Sequence, residues 1–137
     1  MTEPRNLRTV EPQNKQYVSR YRDLVVYQRA FDLSLRIHNA SLDFPKIEQY
    51  GGIADQIRRA SKSITANIAE GYAKQQRSKT EFKRFLLIAL GSAEEMSVWI
   101  EYAIALEYIN ETTASLWITE YDEIIRMLQS LYTKVKI

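Results

Sequence analysis

Cysteine is absent from the 137 residues, which excludes disulfides, thiolate metal sites and cysteine nucleophiles. Proline and glycine are scarce. Of three prolines, Pro4 and Pro12 fall in the first dozen residues and only Pro45 interrupts the body of the chain, and there are just four glycines. That scarcity favours long helices over a turn-rich β fold. Histidine occurs once, as His38. A di-iron bundle needs Glu-x-x-His pairs on facing helices, and no Glu stands three residues before His38. No segment approaches the ~18 apolar residues of a membrane span. The opening Met-Thr-Glu-Pro-Arg-Asn has no apolar run behind it, so a signal peptide is not expected and a cytoplasmic location is.

What is present is ordinary globular material, 45% hydrophobic and 26% charged, in a length that suits one domain. The net charge of +2 conceals an asymmetry. Residues 1–22 carry net +3, residues 23–54 net −1, residues 55–84 net +5 and residues 85–137 net −5. A basic half facing an acidic third reads either as a nucleic-acid surface or as complementary helices inside one bundle.

Residues 1–20 are polar, basic and without periodicity, and they read as an arm. It is either a plain tail or a phosphate-contacting segment. Residues 21–137 read as the folded domain. A first helix is expected from Asp23, as N-cap, to Leu42, with Leu24, Tyr27, Phe31, Ser34, Ile37 and Ser41 on its inner face. Phe44-Pro45 ends it, and Gly51-Gly52 loosens the turn that follows. A second helix is expected from Ile53 to about Ala73. A third should follow the capping box Ser78-Lys79-Thr80-Glu81 and run to Leu106. The fourth, capped by Asn110 or Thr112, should run to Lys134 and bury Leu116, Trp117, Tyr121, Ile124, Ile125, Leu128, Leu131 and Val135. Four such helices with short connections predict an all-α, up-down-up-down antiparallel four-helix bundle. The apolar surface of the third helix, extended by Leu87, Leu90, Trp99 and Ile104, is wider than one buried face needs. Either that helix is central, or its second face meets another subunit.

The second helix has a double character. Ile57, Ala60, Ile64 and Ile68 form one stripe, and Gln56, Arg59, Ser63, Asn67 and Glu70 a second. The polar stripe reads as a register-fixing buried network or subunit interface, or else as a polar pocket. Arg59 and Glu70 lie about 16 Å apart along one helix, so their partners are expected on another helix or another subunit. A separate basic cluster, Arg58, Lys62, Lys74, Arg77, Lys79, Lys83 and Arg84, is the candidate nucleic-acid surface. Catalytic sets are lacking. The glycine pair has no P-loop frame, no base is placed to activate a serine, and the adjacent Glu94 and Glu95 point different ways. The expectation is a protein that is not an enzyme and holds no metal or cofactor.

Tyr21-Arg22-Asp23-Leu24-Val25-Val26-Tyr27-Gln28-Arg29-Ala30, Phe44-Pro45, Gln56 to Ala60, Ser63-Ile64 and Asn67-Ile68-Ala69-Glu70-Gly71 resemble the four helix bundle protein family, also called the 23S rRNA intervening-sequence protein family. Glu81-Phe82, Phe85-Leu86, Ile88 to Glu95 and Tyr108-Ile109 continue the match. The resemblance implies a bundle that assembles as a homo-oligomeric, pentameric ring without enzymatic activity. Val98-Trp99-Ile100, Ala103 and Tyr108-Ile109 look closer to one branch, the accessory variability proteins of diversity-generating retroelements. For that branch the implied partners are RNA or an RNA/DNA hybrid and the retroelement's reverse transcriptase. Thr65 stands where the family often has proline, and Gly51-Gly52 replaces a more usual Gly-Leu. A structural or protein-interaction scaffold is the competing expectation.

Overall fold

A computed structural model describes residues 20–137; the expected arm, apart from Arg20, lies outside the described residues. A short 3-10 helix (Tyr21–Asp23) leads into α1 (Val25–Ser41), and a second one (Lys46–Glu48) precedes α2 (Ile53–Lys74). Then come α3 (Lys79–Ala105) and α4 (Glu111–Lys134). The described residues contain no strand. Each helix packs on the one before it, and α1 packs on α4, closing the up-down-up-down circuit expected from the short connections. The most extensive contact is between α2 and α3. Small residues explain it: Ala60, Ser61 and Gly71 of α2 and Ala89 and Ala93 of α3 are buried and let the backbones approach. Gly71 is a packing contact rather than a helix end. A Cβ there would stand 2.8 Å from Phe85 Cβ and 3.1 Å from Phe82 Cδ1.

Two expectations about α1 are corrected. Asp23 does not cap it. Its carboxylate accepts from the Arg20 backbone N–H at 3.3 Å and so closes the 3-10 turn, while α1 starts two residues later behind Leu24. The buried face is also rotated. Val26, Ala30, Leu33, Ser34, Ile37 and Ser41 are buried, while Leu24, Tyr27 and Phe31 are half-buried. Both stripes are apolar, so helical period does not choose between them. The small Ala30 permits close approach at the centre, and the aromatic rings are left at the rim. On α4, Leu116 turns outward at 62% exposure, and the buried position goes to Ala114. Asn110, not Thr112, caps α4, accepting from the Thr113 N–H at 2.8 Å.

α3 is not central. Its inner stripe from Phe82 to Ala103 is fully covered, but Leu87, Ile88, Val98 and Tyr102 stay exposed on the other side. The acidic α4 is tied to α1 through Arg29, whose guanidinium donates to Glu120 at 3.2 Å and to Glu123. These bonds, Glu123 first, raise Arg29 further above its ordinary range and lower Glu123.

The end of the bundle that gathers the 42–52 connection and the 106–110 turn is densely wired. Arg58 donates to Ser41 Oγ at 2.7 Å and to the Gln49 carbonyl at 3.2 Å. Gln49 Nε2 donates to the Ser41 and Phe44 carbonyls. Glu48 accepts from the Ile53 N–H at 2.8 Å, supplying the cap that Gly52 cannot, and from Tyr108 Oη at 2.7 Å. Those two bonds, the backbone one first, hold its carboxyl below the usual range. Gly51 adopts φ +77°, the left-handed region where glycine is unstrained.

Candidate nucleic-acid interface

The opposite end collects the start of α1, the 75–78 turn joining α2 to α3, and the last residues of α4. Lys83 Nζ, which donates to the Val135 carbonyl at 3.1 Å and lies 4.2 Å from the Tyr132 ring centroid, ties α3 to the α4 terminus there. An open cleft of about 1110 Å³ lies across this end, lined by Arg20, Tyr21, Glu81 and the continuous run 72–78. Its cations are Arg20, Lys74 and Arg77. Lys79 follows immediately as the first residue of α3.

Local sequence explains this geometry. Ser78 Oγ accepts from the Glu81 N–H at 3.1 Å and starts α3 where the capping box predicts. The reciprocal half of the box is not made. Ser78 N–H donates instead to the Lys74 carbonyl at 2.9 Å, and Glu81 takes two bonds from Arg84 at 3.3 and 3.0 Å. Arg84, with Lys74 contributing, holds the Glu81 carboxyl below its usual range. The Arg84 guanidinium and the Lys74 ammonium also lie over the Phe85 ring, at 4.7 and 5.9 Å from its centroid.

The predicted basic cluster therefore divides. Lys74, Arg77, Lys79, Lys83 and Arg84 share one end. Arg77 and Lys79 are exposed and, among the described residues, neither they nor Lys74 and Lys83 have a carboxylate within ion-pair distance. Arg58 does not belong with them, because its guanidinium is spent on holding the 42–52 connection. Lys62 lies nearer that second end as well, where its ammonium donates to His38 Nδ1 at 2.9 Å. Burial, then Lys62 and Arg58, lower the His38 pKa; burial, then Arg58, lowers that of Lys62.

The polar stripe of α2 is not a buried interhelical network. Arg59 is 73% exposed in its side chain and pairs at 3.1 Å with Asp55, one turn earlier on the same helix. Glu70 is exposed. Asn67 Nδ2 donates to the Ser63 carbonyl at 2.8 Å, and only the 2.9 Å contact between the Ser63 and Ser92 hydroxyls crosses to α3. Gln56 is half-buried. The i,i−4 spacing of Asp55 and Arg59 was a sufficient signal for the pair.

Arg20, Tyr21 and Tyr72 line the cleft without having been singled out for it. Arg20 falls in the arm on composition, Arg22 opens the folded domain with no role assigned, and Tyr27 and Phe31 fall in the core on period. Two arginines interleaved with Tyr21, Tyr27 and Phe31 are the pattern that could have marked a surface. Among the described residues no group of His, Asp and Glu is arranged for a metal, and no helix is long and apolar enough to cross a membrane.

The profile of the 23S rRNA-intervening sequence protein family matches residues 22–130. No curated protein matches the chain. A crystal structure of a protein of unknown function from the S23 ribosomal protein family of Bacteroides thetaiotaomicron superposes with a TM-score of 0.72. That protein is 30% identical, and the alignment covers 80% of this chain and 96% of that one. Sequence profile and fold agree over nearly all the described residues, and the chain belongs to the 23S rRNA-intervening sequence protein family.

Proposed function

We propose that this protein is a non-enzymatic nucleic-acid-binding accessory protein that works as a homo-oligomer. The observation that carries the reading is the set of unspent cations at the cleft end: Lys74, Arg77 and Lys79 have no carboxylate partner among the described residues. Lys79 opens α3, where the helix dipole disfavours a cation and favours a phosphate. A cation placed against the dipole and left unpaired is available to a phosphate. Of the acidic residues that a pure scaffold would pair with this cluster, Glu81 takes only Arg84, and Glu120 and Glu123 are engaged on Arg29.

The open side of α3 supports self-association. Leu87 is 51% exposed, Val98 46% and Tyr102 53%, and a Cβ on the outward Gly91 would meet nothing within 4 Å. A second copy of this chain is the proposed occupant, in a ring of five as the family resemblance implies. The finer form of the reading makes the protein partner a diversity-generating retroelement's reverse transcriptase, with RNA or an RNA/DNA hybrid as the nucleic acid. Its support is the resemblance at Val98-Trp99-Ile100, Ala103 and Tyr108-Ile109.

The test is a salt titration of binding to a structured RNA and to an RNA–DNA hybrid, followed by fluorescence anisotropy and paired with light scattering. The expected result is binding at ~100 mM salt with log affinity falling steeply as log salt rises. Absence of binding there, or a flat salt response, overturns the nucleic-acid reading. A 16.0 kDa species at all concentrations overturns the oligomer.

A further inference from the structure

A second, smaller cavity of about 270 Å³ opens between α1 and α4 beside the basic cleft. Tyr21 lines both. The rings that were expected in the core make its wall. Tyr27 and Phe31 lie nearly parallel, 16° apart with centroids at 5.9 Å, and Tyr21 meets Tyr27 edge-on at 4.9 Å. Close packing around Ala30 thus leaves three half-buried aromatic rings at the rim of a surface cavity.

The polar lining indicates what the niche takes. Arg22, Arg29, Asp32 and Glu120 also line it. Glu120 is committed to Arg29, and Asp32 pairs with Arg36 at 3.3 Å. Arg22 donates to Tyr21 Oη at 3.2 Å while its Nε has no acceptor. Because Arg29 is shared between Glu120 and Glu123, the charges cancel, so the niche selects neither a cation nor an anion and offers a guest its ring faces and the unmet Arg22 donor. It favours a planar, acceptor-rich ring system. The volume lies below the ~300–1,000 Å³ of pockets for drug-sized ligands, enough for one ring system rather than a whole nucleotide.

We propose that Tyr21, Tyr27, Phe31 and Arg22 form a stacking niche for one unpaired base of a single-stranded nucleic acid whose backbone phosphates lie in the adjoining Arg20–Lys74–Arg77 cleft. This rests on the nucleic-acid reading above and deepens it by naming the strand form. In a duplex each base is already stacked and paired, so only an unstacked base can enter. The cleft then supplies the salt-dependent share of affinity and the niche the base-dependent share. An Arg22 fork turned toward a bound base acceptor would satisfy the donor that the free chain leaves unmet.

The probe is a fluorescent oligo(dT) compared with an abasic strand of equal length and charge, and with the same oligomer annealed to its complement. The expected result is tightest binding to oligo(dT). The double substitution Tyr27→Ala, Phe31→Ala should cost roughly ten-fold or more on oligo(dT), leave the salt slope unchanged and leave the abasic strand unaffected. Tyr27→Phe, which keeps the ring and guards against a folding artefact, should bind as the parent does. Equal affinity for oligo(dT) and the abasic strand, or preference for the duplex, overturns the niche and leaves the nucleic-acid reading standing. No binding to any strand at ~100 mM salt overturns both.

Discussion

The two ends of the bundle differ in how their cations are held: the end with fewer engages Arg58, Arg59 and Lys62, whereas the richer cleft end engages Lys83 and Arg84 and leaves Arg77 and Lys79 without a carboxylate partner among the described residues. At the end holding the 42–52 connection, Arg58 is consumed by Ser41 and Gln49, Lys62 faces His38, and Arg59 pairs with Asp55. At the cleft end, Arg77 and Lys79 are exposed, and Lys74 sits over an aromatic ring. The physical difference is chain connectivity. The connection before α2 is long and lacks a regular backbone ladder, so its carbonyls need side-chain donors. The turn after α2 is short, and its backbone groups are met locally by bonds such as Ser78 N–H to the Lys74 carbonyl. Arg77 and Lys79 there are not drawn into the fold. One end spends its cations on the fold, and the other leaves two of them exposed.

That division can be broken by substitution. The largest effects on stability should fall at the wired end. Gly52→Ala places a Cβ 2.4 Å from Glu48 Oε1 and 2.7 Å from Glu48 Cα, and displacing that backbone should cost about 3 kcal/mol. Arg58→Ala should cost about 2 kcal/mol by removing two bonds from a charged donor. Both are checked by chemical denaturation, and both should leave nucleic-acid affinity per folded molecule unchanged. A loss of affinity in Arg58→Ala would erase the distinction between the ends.

The reverse result is expected at the cleft. The pair Arg77→Glu, Lys79→Glu should lower affinity roughly a hundred-fold at low salt and reduce the salt slope. It should change stability by no more than about 0.5 kcal/mol, with Glu at the start of α3 favoured by the dipole. Unfolding of this variant would show that the cleft cations are structural after all.

The smallest expected effect sharpens the assignment of Lys62 to the wired end. The folded pKa of His38 lies below its ordinary value, so below ~6.5 the unfolded chain takes up a proton more readily than the folded one. Stability should be full above that pH and decline as pH falls through the window beneath it. Thermal melts from pH 7 to pH 5 should show the decline, and His38→Gln, which keeps an acceptor for Lys62, should flatten it. An identical slope in the variant would separate His38 from the pair.

Much of the bundle was legible because helical period and capping chemistry are local. Ser78 and Asn110 cap where expected, and the stripes Ile57-Ala60-Ile64-Ile68 and Phe82 to Ala103 are buried. The α1 face was not legible, because Val26-Ala30-Leu33 and Leu24-Tyr27-Phe31 are equally apolar and the choice depends on how closely α2 and α4 approach. The candidate site was half legible. Basic residues in sequence proximity, Lys74 to Arg84, do share one end, whereas Arg58 and Lys62 lie along α2 toward the other.

By itself the sequence determined four helices, their order and the adjacency of α2 and α3, since scarce proline and glycine, capping residues and apolar period act over a few residues. Only the tertiary structure decided which cations are free. An arginine is a tie or is left exposed according to the carbonyls and carboxylates that distant segments bring within about 3 Å of it, as Arg58 and Arg77 show.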